Sequence, residues 1–154
     1  MTAMAQGHSG MLRRSDIVAV ARSWIGTPYH HQASAKGIGT DCLGLVRGVY
    51  RELYGVEAEQ PPAYSSDWAE ALGTETLLEA ASRHLVAKSR EQAEPGDIVV
   101  FRMRCEARAK HVAVITGGEQ MVHAAEAIGT REVALTTWWR RRIAGVFAFP
   151  NIES

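Results

Sequence analysis

The stretch Gly39-Thr40-Asp41-Cys42-Leu43-Gly44-Leu45-Val46 decides how this chain is read. Thr40 and Asp41 are helix-capping residue types. The apolar spacing after them (Leu45, Val46, Val49, Tyr50 and Leu53 on one face) predicts a helix over Cys42–Tyr54, closed by Gly55 as a left-handed C′ residue. Cys42 therefore falls in the first turn, where unpaired N–H groups and the helix dipole favour an anion. A thiolate is such an anion, and stabilising it would lower the thiol pKa and make a nucleophile. The competing reading is a buried structural cysteine, since a free cysteine packs as a small hydrophobe. Its position directly after a polar loop argues for the nucleophile.

Upstream, Ser15 is placed to cap a helix over residues 15–25, with Ile17, Val18, Val20, Ala21, Trp24 and Ile25 as its apolar stripe. Gly26-Thr27-Pro28 stops that helix, and residues 29–39 read as a loop. Downstream, Pro61-Pro62 marks an extended connection, and a third helical stretch is expected from Ser66 or Asp67 to His84, broken near Gly73. After the Glu94-Pro95-Gly96-Asp97 turn the period changes. Residues 98–101, 111–115, 120–123, 133–136 and 146–149 read as short strands, with a hairpin at Gly117-Gly118. Helices first and an antiparallel meander second give an α+β fold, with N-terminal helices packed on a C-terminal sheet. That order puts the cysteine on one layer and two histidines on the facing one.

Length and charge bound the rest. A chain of 154 residues suits one domain, and 17 basic residues balance 17 acidic ones. No global field draws the chain to nucleic acid or to an anionic membrane surface. The local basic run Arg140-Arg141-Arg142, after Trp138-Trp139, reads as a solvated strand edge. Cys42 and Cys105 cannot form a disulfide framework, and Cys105, without capping context, reads as a bystander thiol. No apolar stretch reaches the ~18 residues of a membrane span. The polar N-terminus does not read as a secretory signal; residues 1–14 are expected to be a flexible segment ahead of a domain over 15–150.

His111 opens one strand and His123 lies on the strand after the hairpin. The far ends of two hairpin strands lie side by side, so the two imidazoles are expected to be neighbours. His111 can act as general base and then as acid to a leaving amine, while His123 fixes its tautomer. A zinc site from Cys42, His111 and His123 is the sharpest competing chemistry, but the short ligand spacings of zinc sites are absent.

Thr27-Pro28-Tyr29, the stretch from Gly39 to Val46 with Val49-Tyr50, Pro95-Gly96-Asp97 before a strand, His111-Val112-Ala113-Val114 and Met121-Val122-His123-Ala124 together resemble the NlpC family of papain-like cysteine peptidases. The resemblance covers about residues 15–150 and implies a papain-like single domain with no metal or organic cofactor. It implies cleavage of cell-wall stem peptides, commonly between D-γ-glutamyl and a diamino acid, by Cys42 as nucleophile, His111 as base and His123 as third polar residue. Tyr29 matches a tyrosine that lines the active site and helps polarise the scissile carbonyl, with the Cys42 backbone N–H as the other oxyanion donor. Asp41 matches an aspartate that in some members pairs with a free substrate amine. The plainer readings of Tyr29 and Asp41 are a packed loop aromatic and a helix cap.

Tyr29-His30-His31-Gln32-Ala33 departs from the family's usual Tyr-x-Trp-Gly-Gly, and Leu43 replaces a small hydroxyl residue, so one wall of the cleft differs. His30 and His31 read as loop histidines. The run from Cys42 to Val46 and the terminal strand 142–147 are most similar to a phage and gene-transfer-agent branch. That likeness implies a protein made in the cytoplasm without a signal peptide and carried in a phage-like tail to the cell wall, with stem peptides and tail proteins as partners. The alternatives are a tail-tip structural protein with a vestigial site, or an acyltransferase or amidase on the same fold.

Overall fold

Helix starts are set by whichever side chain reaches the exposed amides of the first turn. The Asp16 carboxylate accepts the Arg13 backbone N–H at 3.2 Å, and helix α1 runs Arg14–Arg22. Ser15, the expected cap, thus lies inside the first turn. Ile17, Val20 and Ala21 form the buried face. Trp24, read as part of that stripe, is buried from the turn beyond the helix, whereas Ile25 is 44% exposed.

The structure is a computed structural model that describes residues 12–58, 76–103 and 109–153. Pro61-Pro62, the helical stretch expected over residues 66–75 and Cys105 lie outside the described residues. Of the expected flexible segment, Leu12 is buried and bonded to the other end of the chain: its N–H donates to the Asn151 carbonyl at 3.1 Å, and its carbonyl accepts from Glu153 at 2.7 Å.

Helix α2 spans Cys42–Tyr54 as expected, and Gly55 closes it at φ +79°. Helix α3 covers Thr76–His84. The six-stranded sheet comprises β3 (Val86–Lys88), β4 (Ile98–Arg102), β5 (Ala109–Gly117), β6 (Gln120–Ala125), β7 (Gly129–Ala134) and β8 (Ile143–Ala148), antiparallel throughout in the order β3-β8-β4-β5-β6-β7. This is the expected α+β architecture.

Local details differ from the sequence expectations. The loop over residues 29–39 contains part of a small hairpin, β1 (Ser34–Ala35) with β2 (Gly39–Thr40). Gly117 pairs with Gln120, so the β5–β6 turn sits at Gly118-Glu119. The strand expected over 133–136 begins instead at Gly129, whose φ of +76° suits the turn out of β6. Thr137–Arg140 form a short helix, α4, so the basic run leaves a helix and is not a strand edge.

The central strands are apolar on both faces, which explains their unbroken hydrophobic runs. Ile98, Val100, Val112, Val114 and Val122 join Ile17, Leu45 and Val49 in the helix-side core. Val99, Phe101, Ala113, Ile115 and Met121 form a second cluster on the opposite face, covered by Leu135 and Trp139. A buried ion network ties the layers together. The fully buried Asp97 carboxylate accepts from Arg14 Nη1 at 2.8 Å, Lys88 Nζ at 2.6 Å and the Glu94 amide at 3.0 Å. No helix among the described residues is long and apolar enough to cross a membrane.

Gly48 lets α2 approach the Trp24 ring, where an added Cβ would lie 2.1 Å from Cζ2. Gly48→Ala gains about 1 kcal/mol of helix propensity but overpacks a buried contact, at a typical cost of about 1–3 kcal/mol. The clash is with a rigid ring, so net destabilisation is expected. A urea melt checks this; a midpoint equal to or above that of the unaltered protein would contradict it.

Candidate active site

Asp41 is the N-cap of α2, and its carboxylate serves two segments at once. Oδ1 accepts the Gly44 amide at 2.7 Å and Oδ2 accepts the Gln32 amide at 2.8 Å. Gln32 adopts a left-handed backbone, φ +68°, in the turn that presents that N–H. Alongside, the Thr40 amide donates to Pro28 at 2.9 Å and the His30 amide donates to Thr40 at 3.1 Å. The loop carrying Tyr29 is thereby laid against the start of α2. Its other side is bonded to β7, since Gly26 N–H donates to Thr130 at 2.9 Å and Thr130 N–H to Thr27 at 3.0 Å.

Cys42 is the first residue of α2, 8% exposed. Burial, and then the Asp41 charge, push its thiol up from 9.0 to about 12. Backbone hydrogen bonds at Val112, Leu43 and Cys42 itself oppose the rise. The Val112 bond seats the sulfur against β5, one residue from His111. The expected lowering at a helix end does not appear, because desolvation of an anion in this cleft outweighs a partial charge screened within one turn.

The paired strands bring the histidines together. His111 Nε2 lies 2.9 Å from His123 Nδ1, and the rings meet at 88°. With Nε2 engaged, Nδ1 is the His111 nitrogen left for chemistry. For Nδ1 to accept a proton, Nε2 must carry the hydrogen and donate it to His123, which places the His123 hydrogen on Nε2. Burial first, and His123 second, drive His111 from 6.5 down to about 3; burial also lowers His123. Both imidazoles are neutral at rest.

Trp139 completes the aromatic enclosure. Its ring lies 5.4 Å from His111 at 26° and 5.4 Å from His123 at 81°. In sequence it appeared only as a neighbour of the basic run; its place above the histidines depends on the turn from β7 into α4.

Tyr29, Asp41, Cys42, His111 and His123 line one cleft of about 280 Å³, together with His31, Met103, Glu126 and Trp139. Every expected site residue is thus brought together. His31 reaches the cleft, while His30 packs over Gly39, where an added Cβ would lie 2.7 Å away. Burial, followed by the charges of Cys42, Asp41 and Glu126, raises the Tyr29 hydroxyl to about 12, so it remains a hydrogen-bond donor at neutral pH. No group of three His, Cys, Asp or Glu side chains among the described residues is arranged to hold a metal.

The sequence profile of the NlpC/P60 family matches residues 26–147. This chain belongs to the NlpC/P60 family. Among curated relatives, the gamma-DL-glutamyl hydrolase of Bacillus subtilis (strain 168) is 23% identical over 137 residues, covering 88% of this chain and 29% of that protein. The murein DD-endopeptidase MepS/murein LD-carboxypeptidase of Escherichia coli (strain K12) is 26% identical over 130 residues, 84% of this chain and 59% of that protein. The chain therefore spans less than two thirds of either relative. A crystal structure of an NlpC/P60 family protein from Bacillus cereus ATCC 10987 matches with a TM-score of 0.68 at 22% identity, over 94% of this chain and 42% of that one. At that identity the likeness shows the shared fold.

Two pH responses follow from the neutral pair. With the thiol raised, alkylation of Cys42 by iodoacetamide should be slow near pH 6 and climb above about pH 9. A rate plateau reaching into the acid range would contradict it. For stability, the unfolded chain binds a proton at His111 from pH 6.5 downward, while the folded protein resists to about 3. The folded state is fully favoured above 6.5 and loses stability as pH falls through that window. Urea melts should show that slope, and it should flatten in His111→Gln.

Proposed function

We propose that this chain is a cysteine peptidase that hydrolyses stem-peptide amides of bacterial peptidoglycan, at the bond between D-γ-glutamyl and a diamino acid. The supporting observation is a first-turn thiol sharing one cleft with an imidazole whose far nitrogen is held by a second imidazole. The gamma-glutamyl and murein hydrolase relatives supply the substrate class. Fold alone would not, since one fold houses many activities.

Thiol and imidazole are both neutral at rest, so proton transfer accompanies attack. Cys42 Sγ bonds to the scissile carbonyl carbon as its proton passes to His111 Nδ1, and the carbonyl π electrons move to oxygen. The Tyr29 hydroxyl and the Cys42 backbone N–H donate to that oxyanion. Collapse breaks the C–N bond, and His111 returns the proton to the departing amine. Water then attacks the thioacyl carbon, giving a proton to His111, and the thiolate leaves and is reprotonated. His123 keeps the imidazole in the productive tautomer. Asp41 lines the cleft, so its carboxylate is the charge that a free substrate amine would meet there. The finer setting, a phage-like tail that opens the wall locally, rests on the run from Cys42 to Val46 and the strand at 142–147.

Defined muropeptides incubated with the protein and read by mass spectrometry should split between D-glutamyl and the diamino acid. Cys42→Ala should abolish cleavage, His111→Ala should cost roughly 10²–10⁴-fold, and Tyr29→Phe about 10²–10³-fold in kcat. Intact muropeptides, or cleavage that survives Cys42→Ala, would refute the proposal.

A further inference from the structure

The mechanism above leaves Trp139 without a role, yet its indole is the surface against which both histidines are set. It lies nearly parallel to His111, edge-on to His123, and packs on Phe101 at 4.7 Å. Phe101 itself lies 6.0 Å from His111 at 29°. The backbone that carries Trp139 is clamped. Leu135 N–H donates to the Glu119 carbonyl at 2.7 Å, Arg140 Nε donates to the Leu135 carbonyl at 3.1 Å, and Arg140 Nη2 to Glu119 Oε1 at 2.9 Å. The segment leading into α4 and the last residue of α4 are thus anchored to Glu119 in the β5–β6 turn, between the two strands that carry the histidines. Trp138, next in line, is 49% exposed and lies under the Arg142 guanidinium at 3.7 Å. It has no ring contact with either histidine.

A hydrogen bond between two neutral imidazoles is weak in water and easily replaced by solvent. An indole stacked on His111 and meeting His123 edge to face shields the bond from that solvent and opposes the rotation of His111 that would turn Nδ1 away from the cleft. We propose that Trp139 is a positioning residue, whose indole holds the His111 imidazole with Nε2 on His123 and Nδ1 in the cleft. Its consequence for turnover rests on the peptidase reading; its consequence for the histidine pair does not. The titratable groups that line the cleft with His111 are His123, Cys42, Tyr29, His31, Asp41 and Glu126, and each is unchanged in the variants below.

Trp139→Leu, Trp139→Phe and, as a control, Trp138→Leu are compared by NMR titration of the ¹⁵N-labelled imidazoles and by muropeptide kinetics. In Trp139→Leu, kcat should fall about 10- to 100-fold with KM nearly unchanged, and the His111 titration should move up toward 6.5 together with the acid limb of kcat. Trp139→Phe should restore most of both, and Trp138→Leu, which removes only a ring that meets Trp139 edge-on at 4.9 Å, should move both far less than Trp139→Leu. The unaltered protein gives a second measurement that needs no variant to fold: the His111 Nε2 proton should exchange slowly enough to be seen at neutral pH. A His111 titration unmoved in folded Trp139→Leu, a Phe variant no better than Leu, or an Nε2 proton lost to rapid exchange would each overturn the proposal. If no muropeptide is cleaved, the peptidase reading fails, while the NMR arms still decide the role of Trp139.

Discussion

The Asp41 carboxylate binds two amides that are far from adjacent in role, one in the first turn of α2 and one in the loop that carries Tyr29. A helix needs its first amides satisfied wherever it is buried, and Asp41 is itself only 3% exposed. By sharing one anion between both segments, the chain fixes Cys42, Tyr29 and the wall between them as one unit. Gly44 belongs to the same constraint: an added Cβ there would lie 1.9 Å from the Ala33 carbonyl oxygen. The residue after Leu43 must be glycine for the loop to close on the helix.

The same carboxylate has an electrostatic cost. Burial raises the neighbouring thiol, and this charge raises it further. The site therefore holds no stored ion pair. A neutral thiol and a neutral imidazole share one cleft, and in the proposed reaction charge separates as a substrate carbonyl accepts the sulfur. A low-dielectric setting strengthens the oxyanion contacts as charge develops, and the Tyr29 hydroxyl is kept protonated by the same surroundings. Asp97, far from the chemistry, shows the opposite solution: its buried charge is matched by two cations and an amide.

Much of this was legible in the linear chain because it depends on near neighbours. The span of α2 follows from Asp41, the apolar face and Gly55. The β4–β7 meander follows from continuous apolar runs between turn residues, and the histidine pair from positions around a tight hairpin; β8, expected to continue the meander, instead crosses back to pair with β4 and β3. Ser15 misled because Asp16 reaches the earlier amide. The apolar run at 133–136 marks only the end of β7, which begins at Gly129, where a left-handed φ suits the turn out of β6. His31 and Trp139 carried no pattern that separates a cleft residue from a surface one.

The sequence by itself determined the fold class, the helix that bears Cys42, and the pairing of His111 with His123, since capping, periodicity and hairpin pairing are local rules. Tertiary structure alone decided the charge state of the thiol and imidazole, because desolvation depends on what packs over a group and not on its neighbours in the chain. It also decided that Trp139 roofs the histidines, since that contact requires α4 to fold back over the sheet face opposite the helices.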